Sequence, residues 1–180
     1  MFPLRYEKLQ QAVGLLLSLE PSRRMNYTKL IKMLYIADRE SLKEMGEPIV
    51  GGETWCLHKG PILSDLKELI DGKQVRPSWT ASFKTDGYDL ALVSDPGRDC
   101  LCDYEIDKLT ELHARYRKYG FGRMIDVTHR LPECKKNKVA SGRKRISLRD
   151  ILEGLGIADQ AAEIEDDAKG AALYAASLRR

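Results

Sequence analysis

Asn26-Tyr27-Thr28-Lys29-Leu30-Ile31-Lys32-Met33-Leu34-Tyr35-Ile36-Ala37-Asp38-Arg39 is the stretch whose reading decides the fold class. The Asn26 side chain can accept from amides left unpaired in a first helical turn, and Gly46 can take the left-handed conformation that stops a helix. Between them Ile31, Leu34, Tyr35, Leu42 and Met45 fall within about 100° of one another at helical spacing. The segment therefore predicts one long amphipathic helix ending near Met45. Asp38 projects into the middle of that apolar arc. An unpartnered carboxylate there would cost several kcal/mol, so Asp38 must meet a cation or backbone donors. His113, His129 and the amides before Pro61 are its expected partners.

Working outward, Leu9, Val13, Leu16 and Leu17 repeat at helical spacing, and Glu20-Pro21-Ser22 breaks that helix. Gly60-Pro61 places a proline at the first position of a third helix, with Ile62, Leu66, Leu69 and Ile70 as its stripe and Gly72 as its stop. Thr54 to His58 is short, apolar and aromatic, as a strand is. In residues 80–92, Asp86-Gly87 separates two alternating segments, the pattern of a two-residue hairpin pairing Thr85 with Tyr88, Phe83 with Leu90 and Ala81 with Leu92. A two-stranded ribbon is marginal alone and needs a helix or the Thr54 strand beneath it.

Asp103 is the expected cap of a fourth helix reaching about Tyr119, with His113 in the arc of Ile106, Leu109 and Tyr116. A shorter helix spans roughly Arg123 to His129, until Leu131-Pro132 ends it. Ser147 and Asp150 form a capping box before Ile151, Leu152 and Leu155, and an alanine-rich helix starts at Asp159. Residues 133–146, basic and glycine-containing, form the one linker-like stretch. The expected fold is mainly α: a helical domain over residues 1–155 with a small antiparallel β-sheet, the hairpin plus one short strand. Residues 156–180 add a C-terminal helix packed on the domain or at a homodimer interface.

Composition narrows the function. Of the 180 residues 43% are apolar and 32% charged, and no apolar run reaches the roughly 18 residues a membrane span needs. Met1-Phe2-Pro3-Leu4-Arg5 lacks the features of a signal peptide, so a cytoplasmic place and no membrane contact are expected. Cys56, Cys100, Cys102 and Cys134 then read as free thiols. Cys100-x-Cys102 with His113 or Cys134 lacks the usual zinc spacing, so no metal is expected. Asp126 and His129 share a helix face, but no nucleophile elbow, H-E-x-x-H or phosphate loop occurs, and Gly51-Gly52 precedes a strand instead of following one. Neither catalysis nor a cofactor is expected.

The net charge of +3 conceals a local +10 over residues 112–149, which leaves −7 for the rest. Lys135, Lys136, Lys138, Arg143, Lys144, Arg145 and Arg149 could neutralise phosphates. Without aromatic interleaving or a helix-turn-helix, a solvated basic loop is the plainer reading, and nucleic acid is not the favoured partner.

Three landmarks coincide in order: the helix from Lys29 to Arg39, then Lys59-Gly60-Pro61-Ile62, then Asp126-Val127-Thr128-His129. In that order and spacing the chain resembles the Panacea domain of SocA-like antitoxins, sometimes described as phage-associated proteins, over residues 4–155. The resemblance implies a mainly helical fold with a small antiparallel sheet, and a non-enzymatic antitoxin that binds a co-encoded toxin directly. It carries over Tyr35, Asp38, Gly60, Pro61 and His129, read as scaffold positions. The chain departs from it in the basic stretch 133–146 and in lacking a recognisable appended DNA-binding module. Neutralisation by contact needs about 800 Å² per partner and a few aromatic or arginine anchors. Trp55, Arg76, Trp79 and Tyr88 lie on or beside the predicted sheet and are the candidates, Trp79 in the more exposed setting and Trp55 leaning to the core. Two other readings stand beside this one: a nucleic-acid-binding regulator using residues 135–149, and an adaptor delivering a partner to an ATP-dependent protease.

Overall fold

Helix α2, Tyr27–Met45, is the axis of the molecule. Asn26 Oδ1 accepts from the amides of Thr28 at 3.0 Å and Lys29 at 3.4 Å, and Gly46 closes the helix at φ 77°. In this computed structural model, which describes residues 1–177, Leu30, Ile31, Met33, Leu34, Tyr35, Ile36 and Ala37 are all buried. From Leu30 to Ala37 the helix is enclosed on every side, Lys32 included, so the one-sided arc was too narrow a reading for this half of it. Met45, counted in that arc, lies at the helix end and is 57% exposed.

Helix α1 (Tyr6–Ser18) and the short strand β1 (Arg24–Asn26) precede α2. After it come β2 (Thr54–Leu57), β3 (Gly60–Leu63) and α3 (Ser64–Ile70). Gly60-Pro61 therefore does not start a helix. Pro61 sits in β3, an outer strand paired with β2 opposite Cys56, where a residue with no N–H to give is tolerated. Ile62 is a strand residue, and the helix begins at Ser64.

Helix α4 (Pro77–Ser82) leads into the hairpin of β4 (Phe83–Asp86) and β5 (Asp89–Leu92). Its register pairs Asp86 with Asp89, Thr85 with Leu90 and Phe83 with Leu92. The turn is thus Gly87-Tyr88, not Asp86-Gly87, with Gly87 at φ 59° in the first central position of a primed turn. The expected pairs shift, and Ala81 lies in α4. Because the shift preserves parity, Phe83, Leu90 and Leu92 still face the core together. The hairpin's third strand is β1, paired through β5, and not the Thr54 strand.

Helices α5 (Asp103–Tyr116), α6 (Phe121–His129) and α7 (Pro132–Lys136) follow, then β6 (Lys144–Arg145), α8 (Leu148–Leu155), a 3₁₀ turn (Ala158–Gln160) and α9 (Ala161–Ser177). Cys102, not Asp103, caps α5: its amide is held by Glu105 Oε2 at 3.0 Å. Among the described residues the fold is mainly helical with two small three-stranded antiparallel sheets, ordered β1-β5-β4 and β3-β2-β6. Its main core surrounds α2. A second core joins Phe2, Leu42, Cys56, Cys134, Ile146 and Leu152 to α9 through Ala161, Ile164 and Ala168. Among the described residues, no helix is long and apolar enough to cross a membrane.

Candidate functional site

The landmark residues meet along α2, held by elements distant in sequence. Tyr35 donates its hydroxyl to Glu133 Oε1 at 2.8 Å, and Arg39 Nε reaches the same oxygen at 2.7 Å. Arg39 Nη2 also donates to the Gly154 carbonyl at 2.9 Å. The Glu133 side chain is fully enclosed. The Glu133 carboxylate thereby ties α7 to α2, and Arg39 carries the link on to α8. Burial, and then the nearby Glu133, push the Tyr35 hydroxyl well above its ordinary range and keep it a donor. Residues 133–146 are accordingly not a plain linker: Glu133, Cys134 and Asn137 are buried.

Asp38 finds backbone donors, but not the expected ones. Its two oxygens accept from Val50 N at 2.9 Å and Gly51 N at 3.1 Å. Burial pushes its carboxyl up to about 7, against the pull of those amides and of Ile49 and Arg5. His113 instead sits 3.2 Å from Glu20, and His129 packs at Gly60. Gly60 has φ 90°, and a Cβ there would lie 2.8 Å from His129 Cδ2 and 3.2 Å from Thr128 Oγ1. Two landmarks thus touch, with room for glycine alone. Burial, then Lys32 and Lys138, lower the pKa of His129.

Lys32, the neighbour in this seam, is 1% exposed and donates to the Pro61 carbonyl. Burial lowers its pKa to about 8. Cys56 and Cys134, sulfurs 3.7 Å apart, lie within its field. Burial, then Cys56, push the Cys134 thiol up to about 12. Lys32 lines a cleft of about 80 Å³ between α2, the β2–β3 turn and α3, more room than one water needs. Tyr27, Ile31, Leu57 and Ile62 make its apolar walls; His58, Lys59 and Lys67 rim it.

The four sequence candidates for partner binding are not assembled into one patch. Trp79 is buried at 3% exposure with its ring 4.4 Å from Phe83, which corrects the expectation that it is the more exposed tryptophan. Trp55 is half-buried, and Arg143 stacks over it at 4.5 Å. Arg76 is exposed and lies over Tyr6 at 4.2 Å. Tyr88 is 75% exposed at the hairpin turn, its ring 6.1 Å from Tyr27. Tyr88 therefore adjoins the cleft. In the basic segment, Lys136 pairs with Asp150 and Glu153, Arg145 with Glu53, and Arg149 with Glu153. Lys135, Lys138 and Lys144 make no salt bridge among the described residues. Nor do three or more His, Cys, Asp or Glu side chains there group as metal ligands.

Two residues of this seam escaped the sequence reading. Glu133 is one of just two acids in the +10 stretch, and its isolation there was a signal of an internal partner. Lys32 is a lysine with apolar neighbours on both sides in a helix, a weaker signal of the same kind.

No curated protein and no solved structure matches the chain. The sequence model of one family does, over residues 30–134, which is more than half the chain and contains Tyr35, Asp38, Gly60, Pro61 and His129. On that match the chain belongs to the antitoxin SocA-like, Panacea domain family.

Proposed function

We propose that this protein is an antitoxin that neutralises a co-encoded toxin by direct protein–protein binding, without catalysis, in the cytoplasm. The observation that carries the reading is the family match over residues 30–134. The geometry supports it in one respect. Tyr35, Asp38 and Gly60 are occupied with internal contacts, which leaves partner recognition to the surface and the clefts that open on it. There Tyr88, Arg76 and the Trp55–Arg143 stack present the aromatic and arginine groups that interfaces favour.

The test is expression of the protein encoded by the adjoining gene, alone and together with this chain. Growth arrest by the neighbour alone, relieved on co-expression and accompanied by a purified complex, is the expected outcome. A harmless neighbour, or relief with no complex, overturns it. Toxin levels should hold steady during relief; their fall in a protease-dependent manner would favour the adaptor reading instead.

A further inference from the structure

Among the described residues three lysines are buried: Lys29, Lys32 and Lys108. Lys29 lies 3.5 Å from Glu20 and donates to the Arg117 carbonyl at 3.0 Å. Lys108 sits among Glu40, Glu44 and Glu111, all within 3.4 Å. Lys32 is the most enclosed of the three, and among the described residues it makes no salt bridge and one hydrogen bond, to a carbonyl. An ammonium carries three donors, and burying it without a counter-charge is costly. Here that cost falls at the lining of a cleft, not in a sealed core.

The surroundings of Lys32 say what kind of group would complete it. Lys59 at the rim is exposed and makes no salt bridge among the described residues. Lys67 is half-buried, pairs with Asp71, and stands 5.4 Å over the Tyr27 ring. His58 adds a fourth basic side chain. The walls between them are apolar, which suits an anion carried on a hydrophobic segment better than a bare phosphate backbone. Tyr27 continues the surface outward to the exposed Tyr88.

We propose that this cleft seats an acidic, apolar-flanked segment of the toxin, with an Asp or Glu carboxylate of that segment meeting Lys32 and its neighbouring apolar side chains lying against Ile31, Leu57 and Ile62. The proposal rests on the antitoxin reading above and assigns that reading its anchor pocket. The partner's carboxylate supplies the counter-charge that the fold gives to Lys29 and Lys108 and withholds from Lys32. The lowered pKa of Lys32 in the unbound protein agrees with this, since a carboxylate would raise it again.

The experiment uses the full chain, the product of the adjoining gene, and two labelled peptides of equal length, one alternating leucine with glutamate and the other leucine with glutamine. Lys32→Met should fold, melt at or above the wild-type temperature, and bind the adjoining product about tenfold or more weakly. Lys59→Glu, at an exposed position, should weaken binding severalfold. Lys32→Met that folds and binds the adjoining product as wild type does overturns the proposal. If Lys32→Met fails to fold, Lys59→Glu decides, and unchanged binding by it is equally fatal. If wild type does not bind the adjoining product at all, the antitoxin reading has failed and the peptides test the cleft by itself. Saturable binding of the glutamate peptide, absent with the glutamine peptide and lost in Lys59→Glu, supports it. Equal behaviour of the two peptides, or their displacement by DNA in favour of a phosphate site, sinks it.

Discussion

Lys32 and Asp38 stand on one helix, less than two turns apart, and the protein treats the two buried charges in opposite ways. Around Asp38 the partners are all internal: two amides on the carboxylate, and beside it Glu133 shared between Tyr35 and Arg39. Around Lys32 one carbonyl is offered and no carboxylate. The first region is a clamp that joins α2 to the loop before β2 and to α7 and α8. The second is a charge left waiting at a cleft. A saturated buried charge fixes a fold, whereas an unsaturated one at an opening is available to a ligand. The difference can be measured.

The largest effect is expected from breaking the clamp. Glu133→Ala strips Arg39 of its counter-charge inside the protein and leaves the Tyr35 hydroxyl without an acceptor, and should cost roughly 3–5 kcal/mol in denaturant unfolding. A loss below about 1 kcal/mol would mean that the clamp holds nothing, and the contrast with Lys32 would collapse.

The next effect separates the two regions by the sign of their pH dependence. The folded pKa of Asp38, about 7, lies above its ordinary 3.8. The folded state then keeps a proton that the unfolded state releases, so the Asp38 contribution is most favourable below about pH 4 and is lost as pH rises to 7. Lys32 has a folded pKa of about 8, below its ordinary 10.5. Here the unfolded state holds the extra proton, so the penalty is full below pH 8 and lifts as pH rises toward 10.5. Each change is on the order of 3–4 kcal/mol. Unfolding measured across pH should show both slopes, with Asp38→Asn removing the acid one and Lys32→Met the alkaline one. Persistence of the alkaline rise in Lys32→Met would remove Lys32 as its source, since the neighbouring Cys134 thiol, pushed up to about 12, acts in the opposite sense above about pH 9.

Smaller again is Gly60→Ala. A side chain at φ 90° is strained, and its Cβ would press on His129 and Thr128, so a cost of about 1–3 kcal/mol is expected. The lesion lies at the cleft side of the seam. Toxin binding should therefore fall with it, while Gly154→Ala, whose Cβ would meet Glu133 on the clamp side, should lower the melting temperature with binding retained below that temperature.

What the sequence made legible follows from how local each signal is. Helix α2 was readable because its cap, its stop and its apolar residues all lie within one segment, and the Ser147–Asp150 box was readable for the same reason. The hairpin turn was misplaced by one residue because a distant strand decides it. Arg24 on β1 reaches Asp86 at 2.8 Å and Asp89 at 3.6 Å, which allows two like charges to stand opposite each other and moves the turn to Gly87-Tyr88. The two tryptophans exchanged places because burial of an aromatic ring depends on what covers it. Phe83 and Gln10's contacts to Ser78 and Ser82 close α4 over the core with Trp79 inside. At Trp55 the neighbours are Arg143 and Arg145, which leave the ring at the surface. Asp38's need for donors was legible, but not which amides would supply them, since the Val50-Gly51 turn is placed by tertiary packing.

The smallest effect belongs to a third kind of charge, neither clamped nor buried. In the basic segment, Lys136 is held between Asp150 at 2.6 Å and Glu153 at 2.8 Å, and Arg145 is 2.9 Å from Glu53. These residues answer acids of the same chain, which accounts for part of the local +10 without any partner. Lys135, Lys138 and Lys144 are exposed and make no such pair among the described residues. Changing all three to glutamine should leave stability within about 0.5 kcal/mol. On the antitoxin reading it should also leave protection from the toxin intact, because the anchor lies at Lys32. On the nucleic-acid reading the same variant would bind duplex DNA with a shallower salt dependence, the slope of log K against log salt falling by roughly 0.9 for each phosphate no longer neutralised. Wild-type retention on DNA that weakens steeply with salt, together with such a drop in slope, would move the functional surface from the cleft to this segment. Weak retention, equal in wild type and variant, leaves the segment as surface charge matched to acids of its own fold.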